Sequence, residues 1–233
     1  MSNFKNKLLK YYPFRVLGKL FGGNNAMQER RKKFQGSKLY WEQRYVSNKN
    51  SGSGSYGRLS EFKADIINAF VAKHNINEVL ELGCGDGNQL ALAQYNKYIG
   101  VDVSQKAIDL CKSKFKGDAS KSFFHTDDID VNALNVELVM SLDVIYHLIE
   151  DHVYEAYMNQ LFNTSKKYVI IYSSNYDKEV DVHVKCRKFT NWIQKHKSPQ
   201  WKLKAHIKNK YPFNSKDPNN TSMSDFFIYE KVS

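Results

Sequence analysis

Val79-Leu80-Glu81-Leu82-Gly83-Cys84-Gly85-Asp86-Gly87 reads as a buried strand running into a glycine turn. Residues 78–82 have the length and apolar character of a short core strand. Three glycines on alternating positions then permit a tight turn and a close approach of backbone to a ligand. The spacing is GxGxG, not the GxGxxG of dinucleotide binders. Glu81 and Asp86 add negative charge beside the turn. That charge would repel a diphosphate, which seeks bare amides at a helix N-terminus. It suits a ligand carrying an ammonium and a sulfonium.

Outward from this turn the pattern alternates. A helix is expected over 60–73 before it and another over 88–95 after it. A strand over 98–103 follows, and Ser104 can N-cap a helix reaching about residue 115. Further strands are expected at 123–126, 138–142 and 168–173, with a helix over 151–162. This βαβαβ order predicts an α/β, doubly wound sheet covered on both faces. Residues 201–207 and 226–231 read as two more strands, joined by a helix-free connection holding Pro212 and Pro218. They are expected to form an antiparallel edge.

Asp102 closes the second strand, and there a carboxylate can accept from both hydroxyls of a ribose. Its alternative is a helix cap shared with Ser104. Asp127 and Asp128 follow the third strand, where an acid reaches an adenine amino group or simply forms a turn. Ser141-Leu142-Asp143-Val144-Ile145-Tyr146-His147 lies at the carboxyl end of the fourth strand, the ligand end of such folds. His147 is the general-base candidate, since an unperturbed pKa of about 6.5 suits proton removal near neutrality. Its alternative is a packing histidine held by Asp151. Asp143 is expected to touch the cofactor or orient His147. Asp143, His147, Glu150 and Asp151 also offer oxygens and a nitrogen to Mg²⁺. The favoured reading has no metal. Beyond the fifth strand, His183-Val184-Lys185-Cys186-Arg187-Lys188 forms a basic insertion, followed by a helix opened by Thr190. Arg187 would offer a bidentate fork to an anionic substrate, and Tyr172 and Tyr176 would line the same mouth.

Together these residues resemble the class I S-adenosylmethionine-dependent methyltransferases. The matching text is residues 79–87, then Tyr98-Ile99-Gly100-Val101-Asp102-Val103-Ser104, then Ser141-Leu142-Asp143-Val144. The resemblance implies a Rossmann-like seven-stranded sheet, mostly parallel, with a reversed last strand. It implies S-adenosyl-L-methionine as cofactor, bound by Glu81, Gly83, Cys84, Gly85, Asp86, Asp102, Val103, Asp127, Asp128, Ser141 and Leu142. Residues 40–57, with Trp41, Arg44 and a Gly/Ser loop, look like the cap of small-molecule methyltransferases. Trp41 and Arg44 would close on the methionine end of the cofactor. Tyr56, Tyr146, Tyr172, His183 and Arg187 would face the substrate, with His147 and Asp143 catalytic.

Composition narrows the setting. The chain has 233 residues, with 42% hydrophobic and 25% charged side chains, which excludes a wholly disordered protein. No apolar run reaches the roughly 18–20 residues that cross a bilayer, and no signal-peptide pattern is present. Three scattered cysteines suggest no zinc site or disulfide frame and point to a cytoplasmic setting. The net charge of +11 is unevenly spread. Residues 1–35 carry +8, residues 36–165 carry −5 and residues 166–233 carry +8. An acidic middle fits a cationic cofactor. The basic flanks fit an anionic acceptor, and for residues 1–35 an anionic membrane face. The expected organisation is a basic arm over 1–35 and a methyltransferase domain over 36–233. Within it, 36–75 form the cap, 76–175 the cofactor core, and 176–233 the basic lid and last strands. The favoured acceptor is a small molecule or glycan, an anionic sugar in surface-polysaccharide modification, with the enzyme cytoplasmic or peripheral on the inner membrane face. An RNA methyltransferase and an inert cofactor-fold scaffold are the competing readings. Nucleic acid is disfavoured by the acidic middle.

Overall fold

The computed structural model describes residues 29–232. Helix α1 (Ser37–Val46) and a single turn of 3-10 helix (Ser53–Ser55) lead to α2 (Gly57–Lys73). Strands β1 (Glu78–Leu82) and β2 (Lys97–Asp102), helix α3 (Gln105–Lys114), and strands β3 (Lys121–His125) and β4 (Val136–Leu142) follow. Helix α4 (Asp151–Thr164), strand β5 (Ser165–Ser173), a small hairpin β6 (Lys178–Asp181) and β7 (Val184–Cys186), and helix α5 (Phe189–Lys197) come next. Strands β8 (Trp201–Ile207) and β9 (Asp225–Lys231) end the chain.

Seven strands form one sheet in the order β3-β2-β1-β4-β5-β9-β8. β1 to β5 run parallel, and β9 runs antiparallel to both β5 and β8. The sheet is therefore the seven-stranded, mostly parallel one that the sequence predicts, with a reversed last strand. The antiparallel edge expected from residues 201–207 and 226–231 is present: β9 lies between β5 and β8, and β8 is the outermost strand. Side chains alternate between two cores, as strand geometry requires. Ile67, Phe70 and Val71 of α2 and Ile108 of α3 pack with Val79, Leu138, Met140 and Ile170 on one face. Tyr154, Met158 and Phe162 of α4 and Ile193 of α5 pack with Leu80, Val139 and Ile171 on the other.

Three expectations change. The helix expected over 88–95 is a single 3-10 turn, Leu90–Leu92, of which only Leu90 is buried. A helix that short is marginal without an apolar face to bury. The basic insertion over 183–188, read without a strand, carries β7, which pairs with β6 in a hairpin. Helix α5 starts at Phe189, because the Thr190 hydroxyl and amide are both taken by Asn175 Oδ1. The basic arm over 1–35, and with it the membrane reading, lies largely outside the described residues. Among the described residues, no helix is long and apolar enough to cross a membrane.

Candidate active site

The glycine turn joins the carboxyl end of β1 to the extended run before β2. Gly85 has φ +60°, a left-handed conformation that a side chain would strain. A Cβ there would fall on the Ser51 hydroxyl and lie 3.0 Å from Tyr45 Oη. The close approach at Gly85 is therefore made by the Gly/Ser loop of the cap.

Three carboxyls gather around the turn. Asp102 accepts from Gly85 N–H and Ser104 N–H, both at 2.9 Å, one on each oxygen. Each oxygen keeps a lone pair for a ligand hydroxyl. Burial pushes the Asp102 carboxyl up to about 6, against the pull of these amides. Ser104 does cap α3, accepting from Ala107 N–H at 3.3 Å. Glu81 is buried on β1 and accepts from Tyr98 Oη at 2.7 Å. Burial raises its carboxyl to about 7, opposed by the Tyr98 bond and the charge of Lys63. Asp86 accepts from Ser51 N–H, Tyr56 Oη and Asn88 N–H at 2.9–3.0 Å. Burial works against its charge, but these donors prevail and hold it below the usual carboxylate range. Cys84 is a buried thiol raised well above its ordinary value, first by its bond with Cys111 and then by burial. A fourth carboxylate, Glu42 on α1, was not singled out in the sequence. Its Oε2 is buried with no hydrogen-bond partner among the described residues, and its charge adds to the lift on Asp102.

The cap is latched at both ends. Ser37 donates to Glu150 through its amide (2.8 Å) and its hydroxyl (2.6 Å), and that hydroxyl accepts from Ile149 N–H. Farther on, Tyr45 Oη meets Ser51 Oγ, and Asn88 Nδ2 donates to Ser55 O. Trp41 stands edge-on to His147, with ring centroids 4.8 Å apart. Arg44 packs over Trp41 and donates to Asn50 O. Tyr56, expected at the substrate, is turned to Asp86 instead, and burial raises its phenol to about 12.

At the end of β4, Ser141 and Leu142 are buried, and Ser141 Oγ is 2.9 Å from Tyr157 Oη. Asp143 has φ +60°. Its Oδ1 accepts from Tyr146 Oη (3.0 Å) and Ser224 Oγ (2.9 Å), and its Oδ2 meets Lys63 Nζ at 3.0 Å. It does not orient His147. That role falls to a backbone carbonyl: His147 Nδ1 lies 2.8 Å from His183 O. A carbonyl can only accept, so Nδ1 carries the proton and Nε2 is the basic nitrogen. The His183 ring stacks parallel to His147 at 5.7 Å, and Tyr40 stacks on His183 at 4.6 Å. Cap, hairpin and the end of β4 thus meet around His147.

Several predicted residues are placed elsewhere. Arg187 spends its guanidinium on Leu148 O, Ile149 O and Asp151, at 2.7–3.0 Å, and lies over the Tyr154 ring. Lys185 also pairs with Asp151, and the two cations hold that carboxyl down at about 2. Tyr172 is 1% exposed, and its phenol accepts from Asn209 Nδ2, so it is core rather than mouth. Tyr176 Oη contacts Met223 Sδ. Asp127 is exposed and pairs with Lys38 of the cap, while Asp128 is exposed beside it. Val103 O meets His125 Nε2 at 2.9 Å, which orients the same loop. The four residues weighed for Mg²⁺ are held by separate partners. Among the described residues, no three His, Cys, Asp or Glu side chains converge to hold a metal ion.

A family profile described as a methyltransferase domain matches residues 55–214. No curated protein sequence matches significantly. The fold is similar to that of magnesium protoporphyrin IX methyltransferase from Synechocystis PCC 6803 with bound S-adenosylmethionine. There the identity is 16% and the TM-score 0.62, over 84% of this chain and 97% of that one. It is also similar to the N-methyltransferase NodS from Bradyrhizobium japonicum WM9 in complex with S-adenosylhomocysteine. That match has 12% identity and a TM-score of 0.65, over 85% of this chain and 100% of that one. An S-adenosylmethionine-dependent methyltransferase from Clostridium acetobutylicum ATCC 824 matches at 14% identity and a TM-score of 0.55, covering 73% and 91%. At these identities the likeness is one of fold.

Proposed function

Because the chain belongs to the methyltransferase domain family, we propose that it moves a methyl group from S-adenosylmethionine to a small-molecule acceptor between the cap and the end of β4. The carrying observation is the gathering of Glu81, Asp86, Asp102 and a buried Glu42 oxygen, without a hydrogen-bond partner among the described residues, around one glycine turn. Buried carboxylates are costly unless a cation or donor meets them. A ligand bearing an ammonium, a sulfonium and ribose hydroxyls offers those groups. Asp102 and Glu42 would hold the hydroxyls, and Glu81 and Asp86 the cationic end.

When bound, that cofactor supplies an electrophilic methyl on a sulfonium. The chain itself must position the acceptor and exclude water. The cap helix and the Ser53–Ser55 turn cover the site, tied down through Ser37, Ser51 and Ser55. His147 Nε2 is the base for an acceptor hydroxyl, its ring fixed by His183 O, Trp41 and Tyr146. The charge partition, −5 in the middle and +8 over 166–233, supports an anionic, sugar-like acceptor. The test is His147→Ala. It should leave S-adenosylhomocysteine affinity nearly unchanged and lower turnover by about 10²–10⁴-fold. The wild-type rate should rise through an imidazole pKa, and the variant should lose that limb. Wild-type turnover in a folded variant would remove His147 from the reaction.

A further inference from the structure

The cations that an anionic acceptor would seek first are already engaged. Arg187 and Lys185 serve Asp151, Lys38 serves Asp127, and Arg44 serves the Asn50 carbonyl. Arg58 is held by Asp217 and Asn220 O. Lys63 is placed differently. It lies on α2, turned inward, with its side chain 1% exposed. An ammonium has three N–H donors. Among the described residues Lys63 makes one hydrogen bond, to Asp143 Oδ2, and the Tyr172 ring lies 5.3 Å from Nζ. A buried ammonium with two further donors is costly unless more acceptors meet it.

Its surroundings are built to hold it there. Asp143 adopts a left-handed backbone, φ +60°, which is strained for a non-glycine residue. The hydroxyls of Tyr146 and Ser224 fill Oδ1, which leaves Oδ2 facing Lys63. The cover is thin. A Cβ on Gly54 would lie 2.9 Å from Asp143 Oδ2, so the Ser53–Ser55 turn sits flush on the pair with no side chain larger than serine. The charge of Lys63 also acts on Glu81, opposing the lift that burial gives its carboxyl.

We propose that Lys63 binds an anionic oxygen group of the methyl acceptor, a carboxylate or a phosphate, beneath the Ser53–Ser55 turn, with Asp143 positioning the ammonium. This rests on the methyltransferase reading and sharpens it. The anion site is a buried lysine of α2, not the basic hairpin.

The full chain saturated with S-adenosylhomocysteine is titrated with acetate and, separately, with inorganic phosphate. The ammonium resonance of isotope-labelled Lys63 is followed by NMR. A saturable shift with at least one anion is expected, and which anion identifies the acceptor group. Lys63→Met should weaken that binding by about tenfold or more and Lys63→Arg by less than about threefold, each variant being kept saturated with S-adenosylhomocysteine. No saturable shift in the wild type overturns the proposal, and so does anion binding that survives Lys63→Met. It is also overturned if Lys63→Met loses cofactor affinity and keeps anion affinity, since the ammonium would then serve the donor. If Lys63→Met does not fold, the wild-type resonance decides. Failure of S-adenosylhomocysteine to bind contradicts the methyltransferase reading, and the anion titration of the chain alone still judges Lys63.

Discussion

Glu81 and Asp102 are raised by burial to about 7 and about 6, so they change charge at and just below neutrality. Carboxyls in the unfolded chain titrate near 4. Folding therefore favours their protonated forms. The stability they contribute is fully present below about pH 4 and is lost as pH rises through about 6 and 7. A cationic ligand acts in the opposite direction and draws both towards the charged form, with release of protons. S-adenosylhomocysteine, through its ammonium, should bind several-fold more tightly at pH 7.5 than at pH 5.5. Calorimetry in buffers of different ionisation enthalpy should show proton release on binding, and Glu81→Gln should reduce it. Affinity that is flat or falls with pH would separate these carboxyls from the ligand. At this scale legibility was uneven. The glycine turn and Asp102 stand in a short contiguous pattern. Lys63 did not announce itself, because a lysine on an amphipathic helix reads as solvent-facing. What buries it is Asp143, eighty positions away in sequence. Glu42 was hidden for the same reason, and the partners of Arg187, two backbone carbonyls and the Asp151 carboxylate, come together only in the fold.

Helix α1 is a lid held by few bonds. It buries little beyond Ser37 and Tyr45, so its placement depends on its two ends. Ser37 links α1 to the turn before α4 through both Glu150 oxygens and Ile149 N–H. Ser37→Ala removes the hydroxyl from that link and leaves the Ile149 amide without its acceptor. The loss should be about 1–3 kcal/mol of cap docking. Hydrogen exchange should quicken over 37–46 while the sheet stays protected. Unchanged exchange there would show that the aromatic stack of Tyr40, Trp41, His147 and His183 holds the cap without the latch. Most elements of the core were legible from apolar runs and caps. The β6–β7 hairpin was not. Its strands have four and three residues, and their pairing is broken by an irregularity, so no alternation builds up. The expected helix after the glycine turn failed for want of a buried face.

The described residues form a mostly parallel sheet that ends in the antiparallel pair β9–β8 and is roofed at its carboxyl end by a small cap. That topology brings the ends of β1, β2 and β4 beneath residues 41–56, which is why distant carboxylates share one turn. The alternation of strands and helices that makes the sheet parallel is accessible to sequence reasoning. The identity of the acceptor is not, because it depends on how cap, hairpin and α2 meet. The claim on which the rest depends is that this turn binds S-adenosylmethionine. Titration calorimetry of the full chain with S-adenosylhomocysteine tests it directly, using the wild type, Asp102→Ala and Gly85→Val. One site in the wild type is predicted, weakened by about 1–3 kcal/mol in Asp102→Ala. Gly85→Val should weaken it further, because its side chain would collide with Ser51 and Tyr45. No binding by the folded wild type, or wild-type affinity in both folded variants, would contradict the claim.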